Sequence, residues 1–249
     1  MDRRALLIGL AGLITTPALA ISLDDIFNSA TSGKGSAPGT GRGLPPGVSS
    51  SEGVAGLKEA LTDGAVAAVL RVGKLDGYWA DDKIRIPLPG ALNTIQNTLR
   101  PIGASGPLDD LQLRINHAAE TAAPQARDLF VDAIRSMTVS DVASILRGGN
   151  TAGTAYLRDK TGDGLATLFR PPIRSALDST GAVSAFNTAV AQHGAGGLAG
   201  DHAETTLTDF AVTKGLDGIF HYVGVEEQAI RSNPLKQSSS LLKKVFGGL

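Results

Sequence analysis

Three polar residues fall on one stripe of a predicted helix and are the first candidates for a binding site. Asp109, Asn116 and Glu120 follow one another at steps of seven and four residues, beside an apolar stripe of the same helix. Polar groups at the edge of a core need hydrogen-bond partners. Two interpretations follow: a polar clamp between helices, in which Arg158 or Arg71 pairs with Glu120, and a ligand site formed by Asn116, Glu120, Arg158 and Arg71.

Two histidine and carboxylate pairs at helical spacing suggest a metal site as a further alternative. His117 precedes Glu120 by three residues, and Asp217 precedes His221 by four. Imidazole and carboxylate groups at such spacings can ligate one ion. A two-metal helical bundle, however, would need Glu-x-x-His pairs and further acidic ligands, and the first pair has the reverse order.

Motifs that position a catalytic nucleophile are missing. The sequence has no Gly-x-Ser-x-Gly elbow, no Walker phosphate loop, no His-Glu-x-x-His motif and no cysteine. Carboxylates and histidines are present, but no spacing places a nucleophile beside a base. We therefore expect no catalytic residues and no cofactor, and an enzyme is the third of the functional hypotheses.

The composition indicates a core held by packing alone. The 249 residues are 42% hydrophobic and carry 23 basic against 24 acidic residues, and cysteine is absent. A charge of −1 provides no attraction to nucleic acid, which we exclude as a partner. Without cysteine there is no disulfide framework, thiolate metal site or iron–sulfur cluster.

Apolar residues recur at three- and four-residue steps through most of the chain, which predicts helices. The clearest stripe runs from Val54 to Val72, and prolines at 107 and 124 mark further helix starts. Additional helices are predicted at 139–147, 151–168, 172–177, 183–193, 206–231 and 235–246. The expected fold is all-α: a single bundle of about eight to nine helices. Residues 84–89 are the exception, because two prolines and a period of two predict an extended segment that inserts Ile84, Ile86 and Leu88 into the bundle.

The N-terminal 51 residues are predicted to contain an export signal followed by a flexible linker. Residues 1–20 have two arginines, a short apolar stretch and an Ala-x-Ala end, which predicts a signal peptide cleaved after Ala20 and a periplasmic or secreted protein. Residues 21–51 combine a short helix with a flexible linker rich in Gly, Ser and Pro. The predicted domain is 52–249.

Several short sequence segments of the chain resemble those of a bacterial family, the domain of unknown function 4197 (DUF4197). They occur in collinear order from about residue 55 to 247: Leu57-Lys58-Glu59-Ala60-Leu61, Ile84-Arg85-Ile86-Pro87-Leu88-Pro89, Asn116-His117-Ala118-Ala119-Glu120, Phe130-Val131-Asp132-Ala133-Ile134, Thr154-Ala155-Tyr156-Leu157-Arg158, Leu216-Asp217-Gly218-Ile219-Phe220 and Leu241-Leu242-Lys243-Lys244-Val245-Phe246-Gly247. The resemblance implies an exported helical protein and no particular activity. His117 stands where the resemblance leads us to expect arginine.

These observations favour an exported binding module. We expect a small hydrophobic or lipid-like ligand in a crevice between helices, with the polar residues above as its markers. The alternative is a structural or interaction partner in the cell envelope. The last predicted helix, which starts at Leu235 and ends at Phe246, is amphipathic. We expect it either to dock on the bundle or to contact that protein or a membrane surface.

Overall fold

A computed structural model describes residues 49–181, 203–233 and 245 of the chain. Within these residues there are seven α-helices, two 3-10 helices and no strand. The α-helices are α1 (Ser50–Val72), α2 (Gly90–Leu99), α3 (Gly106–Ala122), α4 (Ala126–Arg135), α5 (Val139–Arg147), α6 (Ala152–Ser179) and α7 (Ala203–Ser232); the 3-10 helices are Arg100–Ile102 and Ala123–Gln125. The predicted all-α bundle is confirmed.

The long helices α1, α6 and α7 form the body of the bundle. Helix α7 packs against both α6 and α1, and α3 and α4 pack on α6. The largest buried side chains include Phe130 on α4 and Phe169 on α6, and Phe130 meets Phe220 of α7 edge to face with ring centroids 5.7 Å apart. Small residues let α1 and α7 approach closely: a Cβ added to Gly64 of α1 would lie 3.3 Å from the Cβ of Glu226 on α7.

Local sequence signals define several helix ends. Ser49 and Glu52 form a capping box at the start of α1, and Thr138 and Asp141 form another at the start of α5.

Residues 73–89, between α1 and α2, cross the bundle without regular structure, and Ile84, Ile86 and Leu88 are all at least 95% buried. The prediction that three apolar side chains of this segment insert into the core is therefore confirmed, although Ile84 itself lies in a turn.

Two details of the helix prediction are wrong: the break between the predicted helices 151–168 and 172–177, and the omission of α2. Residues 151–168 and 172–177 belong to the single helix α6, which contains Pro171 and Pro172 in its interior. The helix continues because Phe169, Ile173 and Leu177 extend one buried stripe across the prolines, which outweighs two lost backbone donors. Helix α2 was not expected, because its run of Asn, Thr and Gln lacks a clear apolar period.

Some predictions fall on residues that the structure does not describe. The predicted helix at 183–193, the signal peptide and most of the linker lie outside the described residues. So does the predicted helix at 235–246 apart from Val245, which is helical and fully buried. None of the helices in the described part is long and apolar enough to cross a membrane.

Candidate functional site

The loop between α1 and α2, residues 73–89, is fastened to α3 by Glu120. The Glu120 carboxylate is buried and accepts hydrogen bonds from three backbone N–H groups: Oε1 from Tyr78 and Trp79 at 3.0 and 3.1 Å, and Oε2 from Asp76 at 3.1 Å. These donors converge because Asp76 has a left-handed conformation, with φ of 59°, which curls the turn into a concave nest of N–H groups.

Asn116 fastens the same loop one turn earlier on α3. Its Oδ1 accepts from the Ile86 N–H at 2.8 Å, and its Nδ2 donates to the Ile86 carbonyl at 3.0 Å. Gln112 donates to that carbonyl as well, at 3.2 Å. The amide of Asn116 thus replaces a strand partner for the extended backbone. At Asn116 and Glu120 the predicted polar clamp joins a helix to a loop, whereas Asp109 joins two helices, because its Oδ1 accepts from Nε2 of Gln96 on α2 at 2.8 Å.

The predicted arginine partners of Glu120 are elsewhere, which corrects that part of the clamp. Arg158 pairs with Asp217 at 3.1 Å and lies over the ring of Phe220, at 4.5 Å from its centroid. Arg71 lies 3.9 Å from the centroid of the Tyr222 ring and donates to the Tyr222 hydroxyl. Of the predicted ligand set, only Asn116 and Glu120 act together, and both bind loop backbone.

Tyr78 joins the loop to α7 from the opposite side. Its hydroxyl donates to the carbonyl of Gly215 at 2.7 Å, and its ring is fully buried. A Cβ added to Gly218 would lie 2.5 Å from Cε1 of Tyr78, so only glycine lets the ring seat here. Burial, and then the nearby Glu120 carboxylate, raise the pKa of the Tyr78 hydroxyl far above its usual range, so it stays a donor.

Together these contacts hold the loop beside α7, and a cleft forms between them. This loop–helix pocket has a volume of about 270 Å³ and is lined by Lys83, Ile84, Arg85, Lys214, Asp217, Gly218 and His221. A shallower loop groove of about 660 Å³ adjoins it, shares Lys83, and is otherwise lined by Arg71, Lys74, Asp76, Gly77, Ala80, Asp81 and Asp82. The two depressions have different charge.

The loop–helix pocket carries an excess of positive charge. Its one carboxylate, Asp217, is shared by Arg158 at 3.1 Å and Lys214 at 3.6 Å. Arg85 pairs with Asp82 at 2.8 Å, outside the pocket lining. Among the described residues, the Lys83 ammonium lies within ion-pair distance of no carboxylate. The loop groove, in contrast, has three basic and three acidic side chains and is balanced.

Of the predicted metal set, the structure brings His117 and Glu120 together and adds Asp76. His117 Nε2 lies 3.1 Å from Asp76 Oδ1 and 3.9 Å from Glu120 Oε2, and one ligand atom from each of the three residues lies within 4.8 Å of the others. Asp217 and His221 line the loop–helix pocket and are not part of this cluster.

One apolar cavity in the interior of the described bundle is almost completely filled. The cavity lined by Leu57, Leu61, Val223, Ile230 and their neighbours has a volume of about 10 Å³, enough for about one water molecule. An apolar depression of about 310 Å³ lies on the surface around Val54 and Val139. The small side chains that line this cavity therefore allow the helices to pack closely and leave little empty volume.

Sequence reasoning missed two sets of residues. Buried Glu227 on α7 accepts from the N–H groups of Gly153 and Thr154 at 2.9 and 2.7 Å and so caps α6, with Arg231 one turn on as its ion-pair partner. The four-residue spacing of Glu227 and Arg231 was the available signal. The basic residues of the pocket, Lys83 and Lys214, come from distant segments and leave no local signal.

Comparison with known proteins gives one match. The family described as a protein of unknown function, DUF4197, matches residues 47–247, which is most of the chain. The resemblance noted in the sequence is thereby confirmed. No curated protein and no solved structure was found to be similar to the chain.

Proposed function

Because the chain belongs to the DUF4197 family, whose description assigns no activity, we propose its function from the geometry. The protein is an exported binding module, and its ligand is a small molecule with a carboxylate or phosphate group that enters the loop–helix pocket. This proposal keeps the expected binding role and replaces the lipid-like ligand by an anionic one.

The observation that carries the proposal is the convergence of cationic groups on a pocket of ligand size. Lys83, Arg85 and Lys214 surround a cleft of about 270 Å³ together with His221, against the single carboxylate of Asp217. Ammonium and guanidinium groups recognise anions by charge-assisted hydrogen bonds, and a concave wall concentrates their field. Ile84 and Gly218 complete the lining and would contact the apolar part of a small ligand.

The way the loop is held supports binding as well. Lys83 and Arg85 lie on a segment whose backbone is fastened by Asn116 and Glu120 and whose Tyr78 is anchored to α7. Cationic side chains on a fixed backbone lose less conformational entropy when they bind, which raises affinity. The interior cavity of about 10 Å³, in contrast, offers no room for an acyl chain.

Export is part of the proposal. The first 20 residues have the pattern of a cleaved signal peptide, and the folded domain starts beyond a linker rich in glycine, serine and proline. The ligand would then be a solute of the periplasm or the medium. Contacts of residues 235–246 with an envelope protein or a membrane surface stay a prediction.

Nuclear magnetic resonance titration of the mature chain with inorganic phosphate and with succinate tests the pocket. We expect saturable shifts of the Gly218 and His221 amide signals with at least one of the two anions. The double variant Lys83→Gln/Lys214→Gln should weaken binding by about tenfold or more, which corresponds to losing about 1.4 kcal/mol. Lys160→Gln, an exposed lysine on α6 outside the pocket, should leave the affinity unchanged. Shifts scattered over the surface, or equal affinity of the double variant, would contradict the proposal.

A further inference from the structure

A second site of different chemistry lies where the loop meets α3. We propose that Asp76, His117 and Glu120 bind a divalent transition-metal ion, with zinc as the simplest example. The three residues present one imidazole nitrogen and two carboxylate oxygens within 4.8 Å of one another. This proposal does not depend on the anion pocket, with which the cluster shares no residue.

The hydrogen bonds that Glu120 accepts leave its carboxylate able to coordinate a metal ion. A carboxylate has about four lone-pair positions, and the backbone N–H groups of Asp76, Tyr78 and Trp79 use three of them. Oε2 accepts only one of these bonds and lies 3.9 Å from His117 Nε2. The N–H bonds also fix the orientation of the carboxylate, which is the supporting role that outer hydrogen bonds have in metal sites.

The distances are close to those of a coordination sphere. Metal–ligand bonds of about 2.1 Å at tetrahedral angles separate neighbouring ligand atoms by about 3.4 Å. The separations from His117 Nε2 are 3.1 Å to Asp76 and 3.9 Å to Glu120. The two His117 separations are within a few tenths of an ångström of the tetrahedral value, and the carboxylate oxygens of Asp76 and Glu120 lie within 4.8 Å of each other. Because the Asp76 and His117 side chains are 48% and 37% exposed, they can move to close the remaining distance.

Exposure also determines the kind of site. The buried Glu120 forms its floor, while the half-exposed Asp76 and His117 leave the outer side open to water. Three protein ligands with an open position resemble the arrangement in which zinc binds a water molecule. The imidazole favours a transition-metal ion over Mg²⁺ or Ca²⁺, which prefer all-oxygen ligands.

Calorimetric titration of the mature chain with Zn²⁺ alone tests the site. The wild-type protein should bind one equivalent. His117→Arg is the decisive variant, because arginine offers hydrogen-bond donors to the two carboxylates but has no lone pair for a metal. We expect it to remain folded by circular dichroism and to lose affinity by more than about tenfold. Asp76→Asn, at an exposed position, removes one carboxylate ligand and should also weaken binding.

Control variants separate this site from adventitious binding. His221→Ala removes an exposed histidine of the loop–helix pocket and should leave the zinc affinity unchanged. The proposal is overturned if the wild-type chain shows no saturable zinc binding, or if His117→Arg and Asp76→Asn both bind as tightly as the wild type.

Discussion

Among the contacts of the loop, the hydrogen bonds to the Glu120 carboxylate should contribute most to the stability of the fold. The variant Glu120→Gln tests this contribution. Glutamine has nearly the same shape, so the change leaves packing intact. Its amide oxygen can still accept from Tyr78 and Trp79, whose N–H groups lie 3.0 and 3.1 Å from Oε1. Its NH₂ group then faces the N–H of Asp76, and two donors oppose each other.

The expected magnitude follows from the number and type of hydrogen bonds. One bond to a charged acceptor is lost, at about 1.5–3 kcal/mol, and two others become bonds to a neutral acceptor, with about half the strength. The combined loss is about 3–6 kcal/mol. Since the Asp76 N–H is only partly buried, we take water to compensate for about half of it and expect the free energy of unfolding to fall by about 2–3 kcal/mol.

Urea unfolding followed by helical circular dichroism, in a buffer with a chelator, measures this loss apart from any metal. With a slope of about 2 kcal/mol per molar urea, the midpoint should fall by about 1–1.5 M. Hydrogen exchange of the Tyr78 and Trp79 amides should accelerate, because the loop opens locally. The control is Asp110→Asn, which removes a half-exposed carboxylate of the same helix and should change stability by less than about 0.5 kcal/mol. If Glu120→Gln changed stability as little, the loop would not depend on this carboxylate.

Further substitutions test packing and capping. Gly218→Ala should destabilise by about 2 kcal/mol or more in thermal melting, because its Cβ would lie 2.5 Å from Cε1 of Tyr78; Gly162→Ala, with open space around it in α6, should stabilise by about 0.5–1 kcal/mol. Hydrogen bonds from the Thr138 backbone N–H and then its hydroxyl lower the pKa of Asp141. The contribution of the Asp141 carboxylate to stability is therefore present above the usual aspartate pKa and is lost as the pH falls through its lowered pKa. Asp141→Asn should cost about 1 kcal/mol at neutral pH and reduce the loss of stability in acid.

Features that depend only on residues close together in the sequence were predictable. Helical periodicity identified α1, α3 and α7, and the prolines and alternating pattern of residues 84–89 identified the extended segment. The spacing of Asn116 and Glu120 identified a polar stripe that must have partners. These conclusions hold because the side-chain periods of helices and strands are properties of the local backbone.

The partners of those residues depend on the path of the chain in space. Glu120 binds N–H groups 41 to 44 residues away, and backbone N–H groups are present at every residue but proline, so no sequence pattern identifies these. Arginine was the expected partner because charge is visible in a sequence and a concave turn is not.

The sequence by itself determined an all-α chain of ordinary composition and a polar stripe on α3. Only the tertiary structure decided that this stripe fastens a loop, that Lys83 and Lys214 share a pocket, and that Asp76 joins His117 and Glu120. The physical reason is that each site combines groups from segments far apart in the chain. Their meeting depends on how the loop packs between α3 and α7, and no local preference encodes that packing.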